Sequence, residues 1–221
     1  MASITVDIWS DIACPWCYIG KRKFEAGLAD FAGRDDVEVT YHSFELAPDT
    51  PVDFDGSEID FLVQHKGMPA GQVRQMLDQV SAIADEVGLR YNFDALLHTN
   101  TRKAHELLHY AKQHGKQLEM VERLFAAYFG EGRHLGRDEE LAELGVDVGL
   151  DRGAIENALA AGDYVSAVDA DIAQAREYGI NGVPFFVIDG RYGVSGAQAP
   201  ETFTSVLERA RDEAKELASG A

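Results

Sequence analysis

"WSDIACPWCYIGKRKFE", residues 9–25, holds both cysteines of the chain, Cys14 and Cys17. The pair is open to three readings: a redox couple, half of a metal site, or a bond that staples a fold. Upstream, "ITVDIW" at 4–9 alternates in the manner of a short strand. Downstream, Tyr18, Lys21, Phe24, Leu28 and Phe31 recur at spacings of three and four, which predicts a helix beginning at the cysteines. A cysteine at a helix start faces unpaired backbone N–H groups and the positive end of the helix dipole, and both favour thiolate over thiol. Cys14 is therefore the expected nucleophile. Cys17, one turn on and on the same face, is placed to attack a mixed disulfide formed at Cys14. Pro15 suits a first turn, where a missing N–H costs nothing. Trp16 puts a large neutral ring between the sulfurs, able to shape the site and contact substrate but not to stabilise a thiolate as a protonated histidine would. A potential less oxidising than that of a strong oxidant is expected.

Working outward, "VEVTYHSFEL" at 37–46 reads as a second strand, with Val37, Val39 and Tyr41 on one face. From about Ser57 to Gly179 the strand signals give way to helical segments, several ending at glycine. Asn100 or Thr101, Asp138, Asp151 and Asp163 stand where N-caps belong. Strands return in "VPFFVIDGRYGVSG" at 183–196, with an Asp-Gly turn, and a closing helix starts near Pro200. The fold class is α/β, a shell at 1–56 and 180–221 enclosing an all-helical block at 57–179. Pro184, at the mouth of an apolar strand, marks an edge, a bulge or a cis bond.

The 221 residues are 46% hydrophobic and 26% charged, an ordinary globular composition. Acidic residues outnumber basic ones by 38 to 20, and a net charge of −18 repels nucleic acid and anionic membrane surfaces alike. "MASITVDIWSD" shows no basic segment followed by a long apolar run, and no stretch is apolar enough to span a bilayer. A cytoplasmic protein is expected, in a compartment where a structural disulfide is unusual.

Metal is the rival reading. Two cysteines do not complete a tetrahedral zinc site, and no histidine lies in their segment. "HELLH", His105 to His109, fits H-E-x-x-H literally, with Glu106 as the general base of a zinc protease. The extended pattern fails, since position 112 is Lys112 rather than glycine and position 115 is Gly115 rather than histidine. Ala104, Leu107, Leu108 and Ala111 form an ordinary apolar stripe that explains the helix without metal.

Strand, C-P-x-C on a helix, strand, helical block, then "GVPFFVIDGRYGVSG" resembles the thioredoxin superfamily, specifically its DsbA-like branch. "DIACPWCYIGK", "FELAP" at 44–48, "NTRKAHELLHYA" at 100–111 and "GINGVPFFVIDGRYGVSGAQ" resemble FrnE-like oxidoreductases along nearly the whole chain. The resemblance implies a thioredoxin fold interrupted by a helical insertion, and a thiol–disulfide oxidoreductase with no metal and no bound cofactor. Its partners would be protein or small-molecule disulfides and thiols, including a low-molecular-weight thiol. Cys14 would attack and Cys17 resolve. Pro184 would be the cis-proline that aligns substrate, and Val183 would offer its backbone. Asp7 would be the buried acid that shuttles a proton for Cys17, with Asp11 as the alternative, and His105 would border the active-site groove. Two rivals stand beside it. One is a glutathione-dependent isomerase resembling 2-hydroxychromene-2-carboxylate isomerases, which typically lack the cysteine pair; the other is a non-redox module in polyketide biosynthesis.

Overall fold

The computed structural model describes residues 3–219. Strand β1 (Ile4–Ser10) leads through the cysteine turn into helix α1 (Pro15–Asp30), and a 3-10 turn precedes β2 (Val37–Ser43). Seven helices follow before the next strand: α2 (Glu58–Lys66), α3 (Ala70–Glu86), α4 (Arg102–Gln113), α5 (Gln117–Ala126), α6 (Asp138–Asp147), α7 (Arg152–Ala161) and α8 (Val165–Glu177). A π turn over Ala127–Glu131 extends α5. The chain ends with β3 (Phe185–Ile188), β4 (Tyr192–Ser195) and α9 (Pro200–Ser219). The four strands lie in the order β2-β1-β3-β4, with β1 parallel to β2 and antiparallel to β3. This is the expected β-α-β … β-β-α frame with helices inserted between β2 and β3.

Alternation along β1 sorts its side chains onto two faces. Ile4, Val6 and Ile8 join the main core, where Phe24 of α1, Phe186 of β3 and Phe203 of α9 meet with ring centroids 4.7–5.6 Å apart. Trp9 turns to the opposite face and packs with Ala175, Ile180 and Val187 beneath α8. Gly27 lets α9 close on α1: a Cβ there would stand 2.4 Å from the Pro200 carbonyl oxygen.

The helical block is not a separate body. Buried residues of α4, α5, α6 and α7 belong to the same hydrophobic cluster as Ile4, Val6 and Ile8. Tyr18 of α1 stacks on Phe125 of α5 at 4.8 Å, and its hydroxyl donates to Glu122 at 2.6 Å. Lys21, buried to 6% exposure, reaches the same carboxylate at 2.7 Å. Burial would raise Glu122, but Arg22, Lys21 and Tyr18 outweigh it and hold the carboxyl at about 2.

Several helices of the block end at left-handed glycines, among them Gly67 after α2 and Gly162 after α7. Two expected caps move by one residue. Asp138 is the first residue of α6 rather than its cap, and α8 is capped by Tyr164 rather than Asp163. Asp151 caps α7 as expected, accepting from the Ala154 N–H at 2.8 Å. Among the described residues no helix is long and apolar enough to cross a membrane.

Candidate active site

Cys14 is the N-cap of α1 and Pro15 its first residue. The preceding turn is closed by the Cys14 N–H donating to the Asp11 carbonyl at 3.1 Å. Across from it lies the Val183-Pro184 bond, which is cis, and the Cys14 thiol donates to the Val183 carbonyl at 3.6 Å. Gly20 permits this approach, since a Cβ there would stand 2.8 Å from the Pro184 Cγ. The helix start and the proline loop, distant in sequence, are thereby packed against one another.

The two sulfurs differ in surroundings. Burial pushes the Cys17 thiol well above its ordinary range, and the adjoining Cys14 sulfur adds to the rise. Ser10 and the Asp11 backbone oppose it more weakly. Both residues are buried, at 4% and 2% exposure, but Cys14 borders a cleft and Cys17, a protonated thiol, lies behind it. The Ser10 hydroxyl, on the core-facing side of β1, is buried with no hydrogen-bond partner of acceptable geometry.

Trp16 is 42% exposed, and with Cys14, Pro15 and Asp11 it lines a cleft of about 240 Å³. The opposite walls come from Leu46 and Ala47, from α2 and α3, and from His98. The Tyr91 hydroxyl donates to the Pro15 carbonyl at 2.7 Å and fixes the first turn of α1 to the helical block.

The two candidate acids separate. Asp7 sits on the face of β1 turned away from the cysteines, its carboxylate 2.8 Å from His42 Nε2, so the structure does not bring it to Cys17. Asp11 lies in the cysteine turn, where its backbone adjoins Cys17 and its carboxylate serves other partners. It accepts from the Leu46 N–H at 2.8 Å and the Ala13 N–H at 3.3 Å. Burial alone would raise its carboxyl, but His105, the Leu46 N–H and Thr101 overcome that and lower it. A carboxylate held this low is a poor base for so weakly acidic a thiol; its clear role is to lock the turn before Cys14.

His105 does not border the cleft. It is fully buried, with Nε2 3.4 Å from Asp11 Oδ1, too poorly aligned for a hydrogen bond. His109 points elsewhere, to Asp171 of α8 at 3.0 Å. Asp171 also accepts from the Ser43 N–H at 2.8 Å and lies 2.8 Å from His42 Nδ1. The two histidines of "HELLH" therefore serve two different aspartates. Among the described residues, no three His, Cys, Asp or Glu side chains gather as a metal site.

Comparison with known proteins identifies the fold and the family. A crystal structure of a probable DsbA oxidoreductase from Streptomyces coelicolor is 41% identical, covers 95% of this chain and 91% of its own, and superposes with a TM-score of 0.89. The uncharacterized protein YwbO of Bacillus subtilis is 29% identical over 93% of this chain and 96% of its own length. The cytosolic disulfide reductase DsbM of Pseudomonas aeruginosa shares the fold, at 21% identity over 93% of this chain and 98% of that one, with a TM-score of 0.64. The pattern that defines the DsbA-like thioredoxin domain matches residues 5–208, and the chain belongs to that family.

Proposed function

We propose that the protein is a thiol–disulfide oxidoreductase working through Cys14 and Cys17. The observation that carries this reading is the Cys14 thiol at a helix N-cap, facing the Val183 carbonyl at 3.6 Å, with Cys17 sealed behind it. In the reducing direction, the Cys14 sulfur attacks a substrate disulfide and the departing sulfur takes up a proton. Cys17 then gives up its proton and attacks Cys14, releasing the second substrate thiol and leaving a 14–17 disulfide. Ionisation of Cys14 frees the Val183 carbonyl to accept a substrate N–H. Burial keeps Cys17 protonated until Cys14 has been consumed, which orders the two steps. In a reducing cytoplasm the pair rests as a dithiol, so reduction or isomerisation of disulfides is the favoured direction. The chemistry is complete in two sulfurs and needs no cofactor.

Thiol titration with and without reductant, combined with insulin reduction by wild type, Cys14→Ser and Cys17→Ser, tests the reading. Turnover in wild type alone, with a reversible 14–17 disulfide, is expected. A wild-type protein with neither property refutes it.

A further inference from the structure

The cleft beside Cys14 is larger than exchange at one sulfur requires. From Cys14 and Trp16 it runs to α2 and α3, where Phe61, Leu62, Met76, Leu77 and Val80 give it walls of carbon. His98 also lines it, although the residue is only 5% exposed. Its Nδ1 lies 2.7 Å from the Glu58 carboxylate and 3.4 Å from the Tyr128 hydroxyl, and its ring stacks on Phe61. Nε2 has no hydrogen-bond partner among the described residues, yet it is not sealed as both nitrogens of His105 are. With Nδ1–H donated to Glu58, the neutral tautomer of His98 is the one that presents the Nε2 lone pair. Thr50, His65 and Lys66 are among the cleft's other polar neighbours, and a hollow walled mostly by carbon with a few polar side chains is the make-up of a small-molecule site.

The alternatives fit it less well. An extended peptide would leave backbone polar groups unpaired against these walls, and of the two carboxylates of a glutathione-like thiol the lining offers a lysine, Lys66, to only one. Pockets for drug-sized ligands measure roughly 300–1,000 Å³, and this cleft, at about 240 Å³, has room for a body of about one ring.

We propose that the cleft binds a small aromatic thiol or disulfide carrying one hydrogen-bond donor, such as a phenol, with the ring among Phe61, Leu77 and Val80 and the donor at His98. This rests on exchange at Cys14 and Cys17. For an aryl disulfide, Cys14 attacks one sulfur and expels an aryl thiolate, which takes up a proton. Cys17 loses its proton, attacks Cys14 and releases the second aryl thiol. The substrate gains two electrons, the pair becomes a disulfide, and dithiothreitol in the assay restores it.

The test compares kcat/KM for bis(4-hydroxyphenyl) disulfide, bis(2-hydroxyethyl) disulfide and oxidised glutathione, each divided by its rate with dithiothreitol alone to remove intrinsic reactivity. Wild type should favour the aryl disulfide at least tenfold, and His98→Phe and the cleft-filling Val80→Phe should each reduce that ratio severalfold. No aryl preference, or a preference indifferent to both variants, overturns the proposal while leaving exchange intact. In parallel, p-cresol, which has the ring and hydroxyl but no sulfur, is titrated into Cys14→Ser protein while Trp16 fluorescence is followed. Saturable quenching, weakened by Val80→Phe, supports the site even if no disulfide is turned over and the oxidoreductase reading fails. Absence of saturable quenching overturns the site itself.

Discussion

Gly20→Ala tests whether the proline loop is held against Cys14 as described. Gly20 lies in the second turn of α1, where alanine is ordinarily worth about 0.5–1 kcal/mol more than glycine. Here its Cβ would stand 2.8 Å from the Pro184 Cγ and 3.6 Å from the Ala197 Cβ. Unstrained carbon contacts need ~3.5–4.0 Å, so the proline ring must withdraw by about 0.5 Å or more. Pro184 is not free to do so, because its carbonyl accepts from the Gly196 N–H at 2.8 Å. Overpacking of this kind costs about 1–3 kcal/mol, which the helical gain offsets only in part. A net loss of about 1 kcal/mol is expected by urea denaturation. The kinetic effect should be larger in proportion: a displacement of about 1 Å at a reacting centre costs on the order of a hundredfold, so half of that predicts about tenfold. Single-turnover reaction of Cys14 with a disulfide measures it. A Gly20→Ala protein that is more stable by about 0.5–1 kcal/mol and reacts at the wild-type rate would refute the reasoning.

Cys17→Ser should accumulate a mixed disulfide at Cys14 that mass spectrometry detects, while Cys14→Ser should form none at the sealed Cys17. Glu122→Gln removes the shared partner of Tyr18, Lys21 and Arg22; with the carboxylate partly solvated, a loss of about 1–2 kcal/mol in chemical denaturation is expected. His42 is opposed by burial, but Asp171 and then Asp7 raise it above 6.5. Its contribution to stability is therefore full below pH 6.5 and fades as pH rises through the folded value, so His42→Gln should flatten the alkaline side of the wild-type stability profile. Asp171 is opposed by burial too, yet its histidines lower it below 3.8, so its contribution holds above that pH and is lost in acid; Asp171→Asn should flatten that side in denaturation series at low pH.

The order of elements was legible because each long segment carries one periodicity, and the cysteine helix because its apolar residues begin at Tyr18. Strand alternation also held the information that separates the two acids: Val6 and Ile8 go to the core, so Asp7 goes with Trp9 to the other face. Helix α2 carries its start signal in "SEID", realised as a capping box between Ser57 and Asp60. Asp138 misleads as a cap because an acid in the first turn satisfies the helix dipole as well as a cap does. The cleft was illegible for another reason. Its walls come from the cysteine turn, the loop at 46–50, two helices and His98, and no local pattern announces that they meet.

The "HELLH" spacing shows what the helical block contributes. Residues four apart on α4 share a face, and that face meets Asp11, just after β1, and Asp171 of α8. His105 stands over Asp11, which locks the turn before Cys14; His109 stands over Asp171, which receives the Ser43 N–H of β2 and the Trp9 indole N–H of β1. Helices α4 and α8 thus meet the strand that delivers the cysteines through Asp11 and Asp171. Tyr91, through the Pro15 carbonyl, and Glu122, through Tyr18 and Lys21, do the same for α1. The strand and helix that carry Cys14 and Cys17 are consequently held from outside the four-stranded frame, and the block that holds them also supplies most of the cleft in which Cys14 opens. Its second role follows from the first: helices packed closely enough to seal Cys17 leave Cys14 facing a hollow whose shape they determine.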